Sequence, residues 1–144
     1  MPIRYQKISS YKYRLAEPYI INVGIRPSAS IVKTYLQLGT DGNLWLSAGY
    51  AWDGASGAVD SPAFMRGSLV HDALRQMMSE GLLSDNWMST SDRILYNICI
   101  DDGMSRIRAR WVLMGVSAAR WYFKTGLAKW LWARKNKVLT AGKN

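Results

Sequence analysis

The stretch Trp52-Asp53-Gly54-Ala55-Ser56-Gly57-Ala58-Val59-Asp60-Ser61-Pro62 separates two kinds of pattern. Before it, residues 3–52 read as mostly β. Tyr11-Lys12-Tyr13-Arg14-Leu15 alternates, and Tyr19-Ile20-Ile21-Asn22-Val23 is a short apolar run. Thr34-Tyr35-Leu36-Gln37-Leu38 and Leu44-Trp45-Leu46-Ser47 flank Asp41-Gly42, a hairpin signal because both residues tolerate positive φ. Pro18 and Pro27 are expected to break or end strands. Residues 53–61 read as a loop. Ser61-Pro62 then reads as an N-cap followed by proline at the first helical position, opening a helix that runs to Ser79 or Glu80 and stops at Gly81. After a connection over 82–88, Ser89 and Asp92 have capping-box spacing for a second helix over 90–101, ended by Gly103. A third helical stretch is expected over 105–135, with Gly115 and Gly126 as possible breaks. Strands first and helices after predict an α+β domain over 1–144: a β-rich N-terminal half, an antiparallel helix pair and a basic amphipathic C-terminal helix.

Length and composition suit a globular domain able to bury a core without staples. Cys99 stands alone, so no intrachain disulfide can form. A reducing compartment fits, and Cys99 reads as a small buried hydrophobe. The start, Met1-Pro2-Ile3-Arg4, lacks the apolar stretch of a signal peptide. No run of about 18 apolar residues predicts a spanning helix. Charge divides sharply. Residues 1–102 carry nine Lys/Arg and ten Asp/Glu, whereas residues 103–144 carry ten Lys/Arg and no acid. The basic end favours an anionic partner: lipid headgroups, nucleic acid or an acidic protein.

The candidate chemistry lies between the two patterns. His71, the one histidine, sits mid-helix beside Asp72. An imidazole titrates near neutrality and can take a proton from water, given a partner that fixes its tautomer. Asp92, on the next helix, is the candidate partner, since helices joined by a short connection can face each other. Asp72 lies about 100° around the helix from His71 and can turn towards the loop. Asp53 and Asp72, with loop carbonyls and water, would make an all-oxygen site of the kind that suits Ca²⁺. Against this stand plainer readings: a satisfied helical histidine, a capping acid at Asp92 and a turn residue at Asp53.

Two resemblances attach to these residues. Trp52-Asp53-Gly54-Ala55-Ser56, Pro62, Arg66-Gly67-Ser68-Leu69-Val70-His71-Asp72-Ala73-Leu74 and Ser91-Asp92-Arg93 resemble a family of phage- and prophage-encoded proteins of unassigned function, over about 45–125. That implies a phage origin, location in the host cytoplasm or virion, and other phage proteins as partners. Over about 50–102 the chain is also similar to the core of small bacterial and fungal secreted phospholipases A2. Asp53-Gly54-Ala55-Ser56 matches their D-x-C-S loop, with Ala55 in place of cysteine. His71-Asp72 matches their H-D pair, and Asp92 follows 21 positions after the histidine. The resemblance implies His71 as the base for water, Asp92 as its orienting partner, and Asp53 and Asp72 as calcium ligands. Ser56 can line the loop, with no nucleophilic role assigned to it. The chain departs from that family in lacking its disulfides and signal, and in having Arg75 where a tyrosine is usual.

Towards the basic end, Arg106, Arg110, Ser117, Arg120 and Lys124 fall near one helical face, and Trp111, Met114, Ala118 and Tyr122 near another. Such a helix either packs its apolar side on the core or lies in a membrane interface, where tryptophan and basic residues are favoured. The interfacial reading takes Arg106, Arg110, Arg120, Lys124, Trp111, Trp121 and Trp130 as a face for an anionic membrane or phospholipid. Nucleic acid is the weaker alternative, because no recognised nucleic-acid motif accompanies these residues. The expected function is a phage-encoded, calcium-dependent lipid ester hydrolase. The alternative is a non-enzymatic virion, tail or host-interaction protein.

Overall fold

Alternation along the N-terminal segments sorts their side chains into two faces, and the fold uses one of them. A computed structural model describes residues 2–9, 12–54 and 61–124, by backbone alone for 119–124. Strands β1 (Tyr5–Lys7), β2 (Lys12–Leu15) and β7 (Ala51–Asp53) form one antiparallel sheet in the order β1-β2-β7. Strands β3 (Tyr19–Asn22), β4 (Ile31–Val32), β5 (Leu36–Leu38) and β6 (Asn43–Leu46) form a second, in the order β3-β6-β5-β4. Three helices follow: α1 (Pro62–Ser79), α2 (Met88–Asp101) and α3 (Arg106–Lys124). The architecture is α+β with a β-rich N-terminal half, as the change of period predicts.

The hairpin at Asp41-Gly42 joins β5 to β6 and pairs Leu36 with Leu46 and Leu38 with Leu44. These four leucines are buried. Only Gly42 takes the left-handed conformation, with φ of +87°. Asp41 instead stays at negative φ and accepts a hydrogen bond from the Asn43 amide at 3.0 Å, so its side chain closes the turn. In the first sheet, Tyr13 lies opposite Trp52, and Tyr5 meets both rings at centroid distances of 5.6 and 6.0 Å.

Helix α1 starts where Ser61-Pro62 predicts. Ser61 is extended, and its carbonyl accepts from the Phe64 amide, but its hydroxyl makes no capping bond. Met65, Leu69, Val70, Ala73, Leu74 and Met77 pack into the core shared with both sheets. Phe64 joins a second cluster with Leu95, Cys99, Met104 and Ala109, between the three helices. Burial pushes the Cys99 thiol up to about 11, in keeping with an inert buried residue. Gly67 allows close approach of α2: a Cβ there would stand 2.8 Å from Leu95 Cδ1 and 3.3 Å from the Leu95 carbonyl oxygen. Arg66 ties the pair at its other edge, donating two Nε bonds of 2.9 and 3.1 Å and one Nη2 bond of 2.8 Å to Asp102, and an Nη1 bond to Tyr19.

Besides Asp53, which closes β7 opposite Lys12 and does not open the loop over 53–61, three expectations are corrected. The capping box at Ser89 and Asp92 does not form, because α2 opens at Met88 after a 3-10 turn over Asp85–Trp87. Asp92 therefore lies a full turn inside the helix and points inwards. Gly115 does not break α3, which continues to Lys124; an isolated glycine costs a helix only about 1 kcal/mol. The third concerns the faces of α3. Ala109, Val112 and Val116 pack inward, whereas Ile107, Trp111 and Met114 are 73, 69 and 61 % exposed. The face carrying Trp111 and Met114 is thus turned away from the core, and Ser117, expected on the solvated basic face, is half-buried against α2.

Candidate functional site

The site grows from one arc of α1. Ser68, His71, Asp72 and Arg75 follow at helical spacing, so all four lie on neighbouring lines of one surface. Ser68 fixes the arc against the sheet: the Trp52 indole donates to its hydroxyl at 3.1 Å, and the hydroxyl donates to the Met65 carbonyl at 2.9 Å. Trp52 is buried, so strand alternation turns Asp53, the last residue of β7, to the opposite side. Both Asp53 and Asp72 line a cavity of about 840 Å³ between β7 and α1. Arg75, Gln76, Tyr50 and Lys12 share its wall. The Tyr50 hydroxyl donates to Gln76 Oε1 at 2.9 Å.

His71 is where the sequence puts it and has the predicted partner. Its Nε2 stands 2.8 Å from Asp92 Oδ1, and the Asp92 side chain is almost wholly buried. An ionised carboxylate can only accept, so Nε2 carries the hydrogen of that bond. Nδ1 is left facing Asp72, whose Oδ1 lies 3.9 Å away. Burial opposes a charged imidazole here. Contacts with Asp72 and Asp92 and their charges outweigh it, and His71 holds its proton more tightly than an ordinary histidine. Asp72 is pushed up from the usual carboxylate range, first by burial and also by the Asp53 charge; His71 and the Asp53 amide act in the opposite direction.

Two further side chains reach Asp92. Arg75 Nη1 lies 4.0 Å from Oδ1, and the Ser117 hydroxyl donates to Oδ2 at 3.4 Å from α3. The sequence reading assigned neither this role. Arg75 was legible in principle, since it stands one helical turn beyond His71. Ser117 was not, because its contact depends on how α3 crosses α2. Trp52 and Ser68 were equally hidden as the brace that sets Asp53.

Four of the predicted residues therefore converge around α1: His71 with Asp92 as a pair, and Asp72 with Asp53 lining one cavity. His71 itself lies just behind the cavity wall and is 9 % exposed. Among the described residues no cluster of three or more His, Cys, Asp or Glu side chains forms a metal cage. The two acids nevertheless fit a hard cation in charge and in donor type: the Asp53 charge raises the cost of ionising Asp72, and carbonyl oxygens and water can fill the remaining positions. Ala55 and Ser56 of the loop lie outside the described residues. Of the predicted basic and aromatic face, Arg106, Arg110 and Trp111 are exposed on α3. The side chains of Arg120, Trp121 and Lys124, and all of Trp130, lie outside the described residues. No helix among the described residues is long and apolar enough to cross a membrane. Comparison of the chain with protein-family models, with curated proteins and with solved structures finds no match.

Proposed function

We propose that the chain is a phage-encoded hydrolase of lipid esters, of the phospholipase A2 type, acting at an anionic membrane surface. The observation that carries this is the 2.8 Å bond from His71 Nε2 to a buried Asp92, which leaves Nδ1 as the basic nitrogen beside the Asp72 wall of the cavity. In the reaction, Nδ1 takes a proton from water as the water oxygen bonds to the acyl carbon. Asp92 stabilises the imidazolium so formed. The proton then passes from Nδ1 to the departing alkoxide as the ester C–O bond breaks, giving a carboxylic acid and an alcohol. Asp53 and Asp72 are the residues that would hold Ca²⁺, which when bound supplies positive charge to polarise the carbonyl.

A second reading is favoured by the recessed position of His71, which Asp72 and Arg75 screen from the cavity. It makes the pair a structural tie between α1 and α2 in a non-enzymatic virion, tail or host-interaction protein. Fatty-acid release from phosphatidylglycerol vesicles in the presence of calcium separates the two. On the hydrolase reading the parent turns over and His71→Ala loses about 10²–10⁴-fold in kcat. Equal rates for the two proteins would overturn that reading.

A further inference from the structure

Helix α3 has two apolar faces, and among the described residues only one is packed against the rest of the fold. Ala109, Val112 and Val116 meet α1 and α2. Ile107, Trp111, Met114 and Ala118 repeat at the spacing of a second stripe on the opposite side of the helix, and all four are exposed. Scattered exposed apolar residues are ordinary, but an aligned run over three turns is not. Arg106 and Arg110 border the stripe along one edge, and both are exposed.

We propose that this outward face of α3 docks on an anionic lipid bilayer, with the stripe entering the headgroup–acyl boundary and the arginines meeting lipid phosphates. The charge pattern selects that occupant. From residue 103 to the end the chain has ten Lys/Arg and no acid. A second copy of the same face would bring like charges together. The chain's own residues 125–144 carry five more cations and no anion, and are equally ill matched to it. Nucleic acid would meet the arginines and Trp111, but Ile107, Met114 and Ala118 offer no base-stacking surface. An interfacial helix wants both elements: apolar area to bury and cations at the headgroup level. This inference names the membrane surface of the proposed function, and its test reads binding rather than turnover, so either can fail without the other.

The experiment is co-sedimentation of the full chain with vesicles of phosphatidylcholine alone and of phosphatidylcholine mixed with phosphatidylglycerol. The comparison is Ile107→Ser/Trp111→Ser, which removes the stripe and leaves every charge in place. The parent is expected to partition onto the mixed vesicles. The double variant should lose about tenfold or more of that partition, with its melting temperature and sedimentation coefficient unchanged. Equal binding by parent and variant would overturn the proposal, since the cations alone would then account for it. So would tighter binding to single-stranded DNA than to the mixed vesicles. A shift in the variant's melting temperature or oligomeric state would also overturn it, because the stripe would then be covered by protein.

Discussion

At the scale of the residue, the site turns on how one histidine and three aspartates share charge. Asp92 is buried and satisfied by His71 on one oxygen and by Ser117 on the other. Asp72 is less well served. Its pKa is raised above the ordinary value of 3.8 by burial and by Asp53. A carboxylate whose folded pKa is raised adds stability only while protonated; that contribution is lost as pH rises through the folded value, so ionised Asp72 weakens the fold at neutral pH. A cation between Asp53 and Asp72 would relieve the strain. Melting curves at pH 7 with and without calcium test this. The parent should melt higher with calcium, by an amount equivalent to about 2.7 kcal/mol when the free ion exceeds its Kd about 100-fold. Asp72→Asn should melt above the parent without calcium and respond no further to it. A calcium response retained in Asp72→Asn would remove Asp72 from the proposed calcium ligands.

Among the elements, the α1–α2 contact decides whether the pair can form at all. Gly67 is a point of close approach. An alanine there would gain about 1 kcal/mol of helix propensity. Its Cβ would also crowd Leu95 Cδ1 at 2.8 Å, Cys99 Sγ at 3.1 Å and the Leu95 carbonyl oxygen at 3.3 Å. A leucine methyl can turn aside, but a helix carbonyl cannot, and overpacking of this kind costs about 1–3 kcal/mol. Gly67→Ala is therefore expected to lower the urea midpoint and, on the proposed hydrolase reading, to weaken hydrolysis in parallel, because α2 must move and carry Asp92 with it. A raised midpoint with full activity would show that the helices do not hold each other as tightly as the contact distances imply.

For the molecule as a whole, the sequence was informative where the physics is local. Alternating and apolar runs, Asp41-Gly42 and Ser61-Pro62 located β2, β3, β5 and β6, a hairpin and the start of α1 within the chain's own neighbourhood, whereas the short β1, β4 and β7 carry no such run. The His71–Asp92 pairing was also legible, because two helices joined by a short connection leave few ways for those residues to meet. Features set by tertiary packing were not. The start of α2 was misjudged because a 3-10 turn precedes it and Asp92 has capping-box spacing while serving His71 instead. The direction of α3 could not be read, since its sequence offers two apolar stripes and only contact with α2 selects Val112 and Val116 over Trp111 and Met114. The Ser117 contact with Asp92 follows from that same choice.

One histidine in the chain gives one set of imidazole resonances, so the pair can be observed without ambiguity. A ¹⁵N NMR titration of the protein and of Asp92→Asn reports both the tautomer and the proton affinity of His71. The account predicts hydrogen on Nε2 in the neutral form and a midpoint above the ordinary 6.5, lowered in Asp92→Asn. The matching stability contribution is full below 6.5 and disappears as pH rises through the folded midpoint. Hydrogen on Nδ1, or a midpoint at or below 6.5 that Asp92→Asn leaves unmoved, would contradict it.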